Sequence, residues 1–210
     1  MFTKYITGLT NSKNPASALI KMDTLKLYMV LLGCKPKGRY TEQHDIFFGI
    51  GNALKDLLTD ITHSWPEAPR IHIDAWREVT ETDGHAIHVI PKEKSKTGEP
   101  LSDKLFFLNL GGYKKDVFEE YHYKMLVVGK EKSIAIRKAK ESAFYKHTGF
   151  TGADSHIDDK YGVDVDDLYE IEDILPGHIK EKYCLQITPT AIGLKDEWHL
   201  GYTKLSSLTG

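Results

Sequence analysis

One segment of this chain occurs twice. Lys26 to Gly51 reads KLYMVLLGCKPKGRYTEQHDIFFGIG and Lys104 to Gly129 reads KLFFLNLGGYKKDVFEEYHYKMLVVG, aligned at one constant spacing without a gap. Identical in the two are Lys26/Lys104, Leu27/Leu105, Leu32/Leu110, Gly33/Gly111, Lys37/Lys115, Glu42/Glu120, His44/His122 and Gly51/Gly129. Further on, after a longer insert in the second copy, His72-Ile73-Asp74 recurs as His156-Ile157-Asp158. A repeat of this size reads as one supersecondary unit used twice, which restricts the chain to architectures built from two related halves.

Within the first copy, Leu27 to Leu32 is a short apolar run rich in strand formers, closed by the turn residues of Gly33 to Gly38. Ile46 to Ile50 reads as a second strand ending at Gly51. Asn52 can cap a helix over 53 to 65, whose apolar residues Leu54, Leu57, Leu58, Ile61 and Trp65 recur at helical spacing before Pro66. Arg70 to Val79 alternates, which places Ile73 inward and leaves His72 exposed, and Ile157 and His156 likewise in the second copy. Asp83-Gly84 is a hairpin signal leading into Ala86 to Pro91.

The unit is therefore ββαββ. The second copy repeats it with Leu105 to Leu110, Tyr121 to Val128, a helix from a Ser133 cap over 134 to 148, an acidic excursion from Asp154 to Asp173, and Tyr183 to Ile187 as closing strand. The expected fold is α+β, a tandem duplication of a β-grasp (ubiquitin-roll)-like unit with a helix packed on a mixed sheet. The boundaries read as a leader at 1–24, copy one at 25–92, a charged Gly/Pro linker at 93–102, copy two at 103–190 and a C-terminal tail at 191–210. The leader has no counterpart in copy two and reads as an appendage, or as an upstream start with Met22 as the alternative one.

Composition narrows the function classes. A net charge of -2 and a pI near 6.6 give no global bias toward nucleic acid or an acidic membrane. Cys34 and Cys184 are the only cysteines, which excludes a disulfide framework and a thiolate metal site repeated in both copies, and fits a reducing cytoplasm. No stretch is long and apolar enough to read as a membrane span, and no secretory leader is visible.

The strings LYMVLLGCKPKGRYTEQHDIFFGIG and HIDAWREV, with the degenerate second copy, resemble the bacterial domain-of-unknown-function family DUF1543. Its most distinctive motif here is Thr41 to Asp45, TEQHD, of which the second copy keeps only Glu120 and His122. The resemblance leaves out the leader and the chain after Thr190. It implies a cytoplasmic bacterial protein with tandem copies, and it carries over no activity, cofactor or catalytic residue.

Chemistry must therefore be sought in the residues themselves. Glu42 and His44 lie two apart in a strand-like segment and so share a face, as do His72 and Asp74. The same pairs recur as Glu120/His122 and His156/Asp158. Two histidines and two carboxylates suffice for a divalent metal such as Zn²⁺ or Mn²⁺, or for a histidine base oriented by a carboxylate. The competing account makes these pairs local hydrogen bonds that end exposed strands. In a β-grasp the second and third strands lie at opposite edges, which argues against one shared site within a copy.

The first hairpin loop is basic in both copies, with Lys35, Lys37 and Arg39 in one and Lys114 and Lys115 in the other. These residues are candidates for binding an anion, although no P-loop order is present and solvated lysines are the commoner explanation. The carboxylates from Asp154 to Asp173 lack EF-hand spacing and read as a solvated face. No nucleophile elbow occurs. Two readings stand: a non-catalytic module binding a protein or a small anionic ligand, with a homodimer through a sheet edge left open, or a small metal-assisted hydrolase using the Glu/His and His/Asp pairs.

Overall fold

The computed structural model describes residues 25–95, 103–113, 116–148, 164–193 and 195–209. Strands β1 (Lys26–Cys34) and β2 (Gln43–Gly51) form an antiparallel hairpin. A 3₁₀ turn, Leu54–Leu57, runs into α1 (Leu58–Ser64), and β3 (His72–Val79) returns along the other side of β1. The expected Asn52 cap is not used. Asp56 supplies it from inside the turn, its Oδ2 accepting the N–H groups of both Asn52 and Ala53 at 3.0 Å. Strands β4 (Glu81–Thr82) and β5 (His85–Pro91) meet at Asp83-Gly84, where φ values of 52° and 70° give the two-residue hairpin turn that the sequence signals.

The second half begins with β6 (Lys104–Tyr113) and β7 (Glu120–Gly129). Lys104 faces Gly129 as Lys26 faces Gly51, and Gly111 faces His122 as Gly33 faces His44. Helix α2 (Lys132–Thr148) starts ahead of Ser133, whose hydroxyl donates to Glu131 rather than capping. The acidic stretch is not simply a solvated excursion. Its latter part is β8 (Asp164–Glu170), paired with β6, because Val165 and Leu168 pack on the second core. The short helices α3 (Ile171–Ile174) and α4 (Gly177–Lys180) then lead to β9 (Tyr183–Pro189).

Two expectations about the sheets fail. Every described strand pairing is antiparallel, so the mixed sheet of a β-grasp is not what these strands build. The closing strands β5 and β9 do not join their own halves but pair with each other, from His85 opposite Pro189 to Pro91 opposite Tyr183. They do so because Ile87, Val89, Leu185 and Ile187 all pack on a core that belongs to both halves.

That core explains why β1 and β6 read as continuous apolar runs: each is covered on both faces. Leu27, Met29, Phe48 and Ile50 from one sheet meet Leu105, Phe107, Leu126 and Val128 from the other, with the Phe48 and Phe107 rings 5.5 Å apart. The intervening residues face outward to helices. Tyr28, Val30 and Leu32 pack on Leu57 and Ile61, while Phe106, Leu108 and Leu110 pack on Ala135 and Ala139. The order of layers is thus helix, sheet, sheet, helix, with β5 and β9 alongside.

The C-terminal segment is part of the first sheet. Strand β10 (His199–Lys204) pairs with β3, giving the order β10-β3-β1-β2. Ahead of it, the buried Asp196 accepts hydrogen bonds from the Thr80 N–H at 2.9 Å and the Thr80 hydroxyl at 2.6 Å, and pairs with Arg77 at 3.2 Å.

Candidate metal centre

Because β2 and β3 lie on either side of β1, rather than at opposite edges, the two Glu/His-type pairs of the first half are one strand apart. The strand between them carries no side chain at the critical position: Gly33 faces His44 across one ladder and His72 across the other. A Cβ on Gly33 would overlap His72 Nε2 and Asp74 Oδ2. This glycine is the floor on which the side chains from both neighbours meet.

Asp74 reaches the same place through an irregularity in the ladder. Ile73 pairs with Leu32 and Ala75 with Leu31, so Asp74 has no partner on β1 and its carboxylate is turned over the glycine. The four heads close a ring in which imidazole and carboxylate alternate. His72 Nε2 lies 3.1 Å from Glu42 Oε1 and 3.3 Å from Asp74 Oδ1, while His44 Nε2 lies 3.3 Å from Asp74 Oδ2 and 3.8 Å from Glu42 Oε2. Asp74 Oδ2 is buried and accepts no hydrogen bond among the described residues. A buried carboxylate oxygen in that state is costly unless something else satisfies it, and a cation does so.

His72 is not the exposed residue that strand alternation predicts. It is 7% exposed, while Ile73 is fully buried as expected. Both faces of β3 are covered here: Ile73 packs toward α1, and the Tyr202 ring from β10 lies 4.5 Å from the His72 ring. His44 and Glu42 remain accessible, each with 44% of its side chain exposed. The ring therefore has a buried end at His72 and an open end at His44.

The second half builds a related cluster from a different donor set. Gly111 faces His122 on one side and Asp164 on the other, and the ladder shifts between Asn109 and Leu110 as it does between Leu31 and Leu32. The residue left without a β6 partner is Asp166, whose Oδ2 would be overlapped by a Cβ on Gly111 and lies 3.3 Å from His122 Nδ1. Glu120, His122 and Asp166 offer ligand atoms that all lie within 4.8 Å of one another. By register Asp164 and Asp166, rather than His156 and Asp158, stand where His72 and Asp74 stand in the first half. His156 and Asp158 lie outside the described residues.

Both clusters border one cavity of about 510 Å³ between the sheets, which His44 and His122 line together. It continues the shared core toward the hairpin loops, with Leu31, Ile46 and Phe107 as apolar lining and Asn109 and Lys124 as polar lining. Burial pulls the Lys124 ammonium below the usual lysine range, opposed by the charge of Asp45. Asn109 Nδ2 donates to Asp167 Oδ2 at 3.2 Å and lies 3.3 Å from His122 Nδ1, while Asn109 Oδ1 is buried without a hydrogen-bond partner among the described residues.

Of the anion-site candidates, Lys35, Lys37 and Arg39 are exposed on the turn closed by the Arg39 N–H to Pro36 carbonyl bond. Lys114 and Lys115 lie outside the described residues. Sequence reasoning missed Gly33 and Gly111 as floors, although their identity in the repeat was visible. It also missed Asp166, concealed in an acidic stretch, and Tyr202, for which no local signal exists.

A model of the Domain of Unknown Function family DUF1543 matches residues 39–89, which contain all four residues of the first cluster. Comparison with curated proteins gives no match. Among solved structures, the fold is similar to the crystal structure of a protein Il1583 from Idiomarina loihiensis, with a TM-score of 0.56 and 21% identity, covering 86% of this chain and 97% of that one. This similarity concerns the fold alone. No helix among the described residues is long and apolar enough to cross a membrane.

Proposed function

We propose that this protein is a divalent-metal-dependent enzyme of the hydrolytic class, with its principal metal held by Glu42, His44, His72 and Asp74. The observation that carries the reading is the convergence of two imidazoles and two carboxylates over a glycine, with one buried carboxylate oxygen that accepts no hydrogen bond among the described residues. Two nitrogen and two oxygen donors suit Zn²⁺ or Mn²⁺. Glu42, His44, His72 and Asp74 would hold such an ion, which would supply Lewis-acid chemistry by acidifying a bound water and polarising the bond to be cut. His44, at the open end, is the ligand nearest to an entering substrate.

The two halves are read as tandem copies of one unit, a view supported by their shared hairpin register and the ladder shift at corresponding positions. In the second copy the donors Glu120, His122 and Asp166 are one imidazole and two carboxylates, a harder set richer in oxygen and suited to Mn²⁺ or Mg²⁺. A bacterial, cytoplasmic setting belongs to the same reading and is supported by the family resemblance and by two buried, unpaired cysteines.

A non-catalytic binding module is the second reading. It is favoured by β10, an edge strand on which Leu200 is 75% and Tyr202 63% exposed, next to Trp198 at 58%. Elemental analysis separates the two readings. Purified protein is expected to carry close to one Zn or Mn per chain or more, and His44→Ala to remove the first-site metal with little change in the melting temperature of the metal-free protein. Metal-free wild type that cannot be loaded, together with a lower melting temperature in His44→Ala, would make the ring structural and leave the binding module.

A further inference from the structure

Two register-equivalent pairs that line the inter-sheet cavity differ in kind, Leu31 and Asn109 on the central strands and Ile46 and Lys124 on the second strands. At both, the first half is apolar and the second polar, and each wall also carries one carboxylate, Asp45 on the first and Asp167 on the second. Placing an amide, an ammonium and a carboxylate between two sheets costs stability unless they are paired, yet pairing is incomplete. Asn109 Oδ1 has no partner, and Lys124 forms no ion pair within 4 Å among the described residues. The cavity is of the size that takes a small organic ligand.

We propose that this cleft is the binding site of a small amphipathic organic anion, with its acidic group held at Lys124 and its apolar body against Leu31, Ile46 and Phe107. Both histidines that line the cavity, His44 and His122, belong to ligand clusters, so a molecule seated there has a candidate metal on either side. The inference rests on the metal-centre reading for the chemistry performed on the ligand. The anion preference rests on Lys124, the cation of the lining; Asp45 and Asp167 also line the cleft, weaken its pull on an anion and steer the acidic group away from their own carboxylates.

The test is a fluorescence titration of the full chain with 1-naphthyl phosphate, using 1-naphthol and inorganic phosphate as controls and measuring metal content on every sample. Wild type is expected to bind 1-naphthyl phosphate more tightly than either control. Lys124→Met, which keeps the volume and loses the charge, should weaken that binding about tenfold or more, with metal content and 1-naphthol binding unchanged. Lys124→Arg should restore most of it. Undiminished 1-naphthyl phosphate binding in Lys124→Met with metal intact overturns the cleft inference alone, as does wild type that prefers 1-naphthol. Absence of metal from wild type is read from the elemental analysis and overturns the metal-centre reading independently of the titration.

Discussion

Gly33→Ala separates the metal centre from the fold. Gly33 lies inside β1 without a positive φ, so alanine is compatible with the backbone and gains about 0.5–1 kcal/mol over glycine in a strand interior. Against this, the new methyl overlaps His72 Nε2 and Asp74 Oδ2 and comes within 2.9 Å of His72 Cε1. Carbon contacts settle at about 3.5–4.0 Å, so both heads must retreat by roughly 1 Å, several times the ~0.2 Å latitude of metal-ligand distances. Overpacking costs about 1–3 kcal/mol, which leaves a net loss of at most about 2.5 kcal/mol in the metal-free protein and a melting temperature lower by no more than roughly 10 °C. Metal affinity should fall about a hundredfold, or ~2.8 kcal/mol. Calorimetric titration with Zn²⁺ and Mn²⁺, alongside melts of metal-free protein, reads the two effects separately. Gly112→Ala is the control, since a Cβ there meets nothing within 4 Å. Wild-type metal affinity in Gly33→Ala, or an equal loss in Gly112→Ala, would refute the role of Gly33 as the floor of the site.

Two further predictions concern the scaffold. Burial, and then the neighbouring Glu78 that accepts a hydrogen bond from the Tyr28 hydroxyl at 3.3 Å, raise the Tyr28 phenol well above its ordinary range. Above about pH 10 the unfolded chain therefore ionises first, and the stability Tyr28 contributes at neutral pH is lost as pH rises. Urea melts at rising alkaline pH should show a shallower decline in Tyr28→Phe than in wild type, and equal slopes would contradict the assignment. Phe48→Ala empties a site that is 2% exposed in the core shared by both halves, at a cost of about 3–5 kcal/mol. Calorimetry should show both halves melting in one transition at lower temperature, whereas two separated transitions would show that the halves do not fold as a unit.

Much of the site was legible because it depends on local pattern. The repeated Glu/His pair, its two-residue spacing on a strand, and the Asp83-Gly84 turn are all short-range signals, and the structure brings Glu42, His44, His72 and Asp74 together. The second cluster includes a residue, Asp166, that the string match does not reach, for a physical reason. His156-Ile157-Asp158 matches the first copy as a string, but strand position is set by ladder register, and the register puts Asp164 opposite Gly111 and leaves Asp166 in the irregularity. A run of aspartates hides a strand because its two apolar anchors, Val165 and Leu168, are few.

What the amino-acid sequence determined by itself was the doubled hairpin and the chemical types of the four residues in the first cluster. Tertiary structure alone decided that β2 and β3 flank β1, so that a missing side chain at Gly33 lets four heads meet. It also decided that β5 joins β9 and that β10 crosses back to cover His72. These are pairings between segments far apart in the chain, settled by which apolar faces remain to be covered after each hairpin has formed, and no local periodicity encodes that remainder.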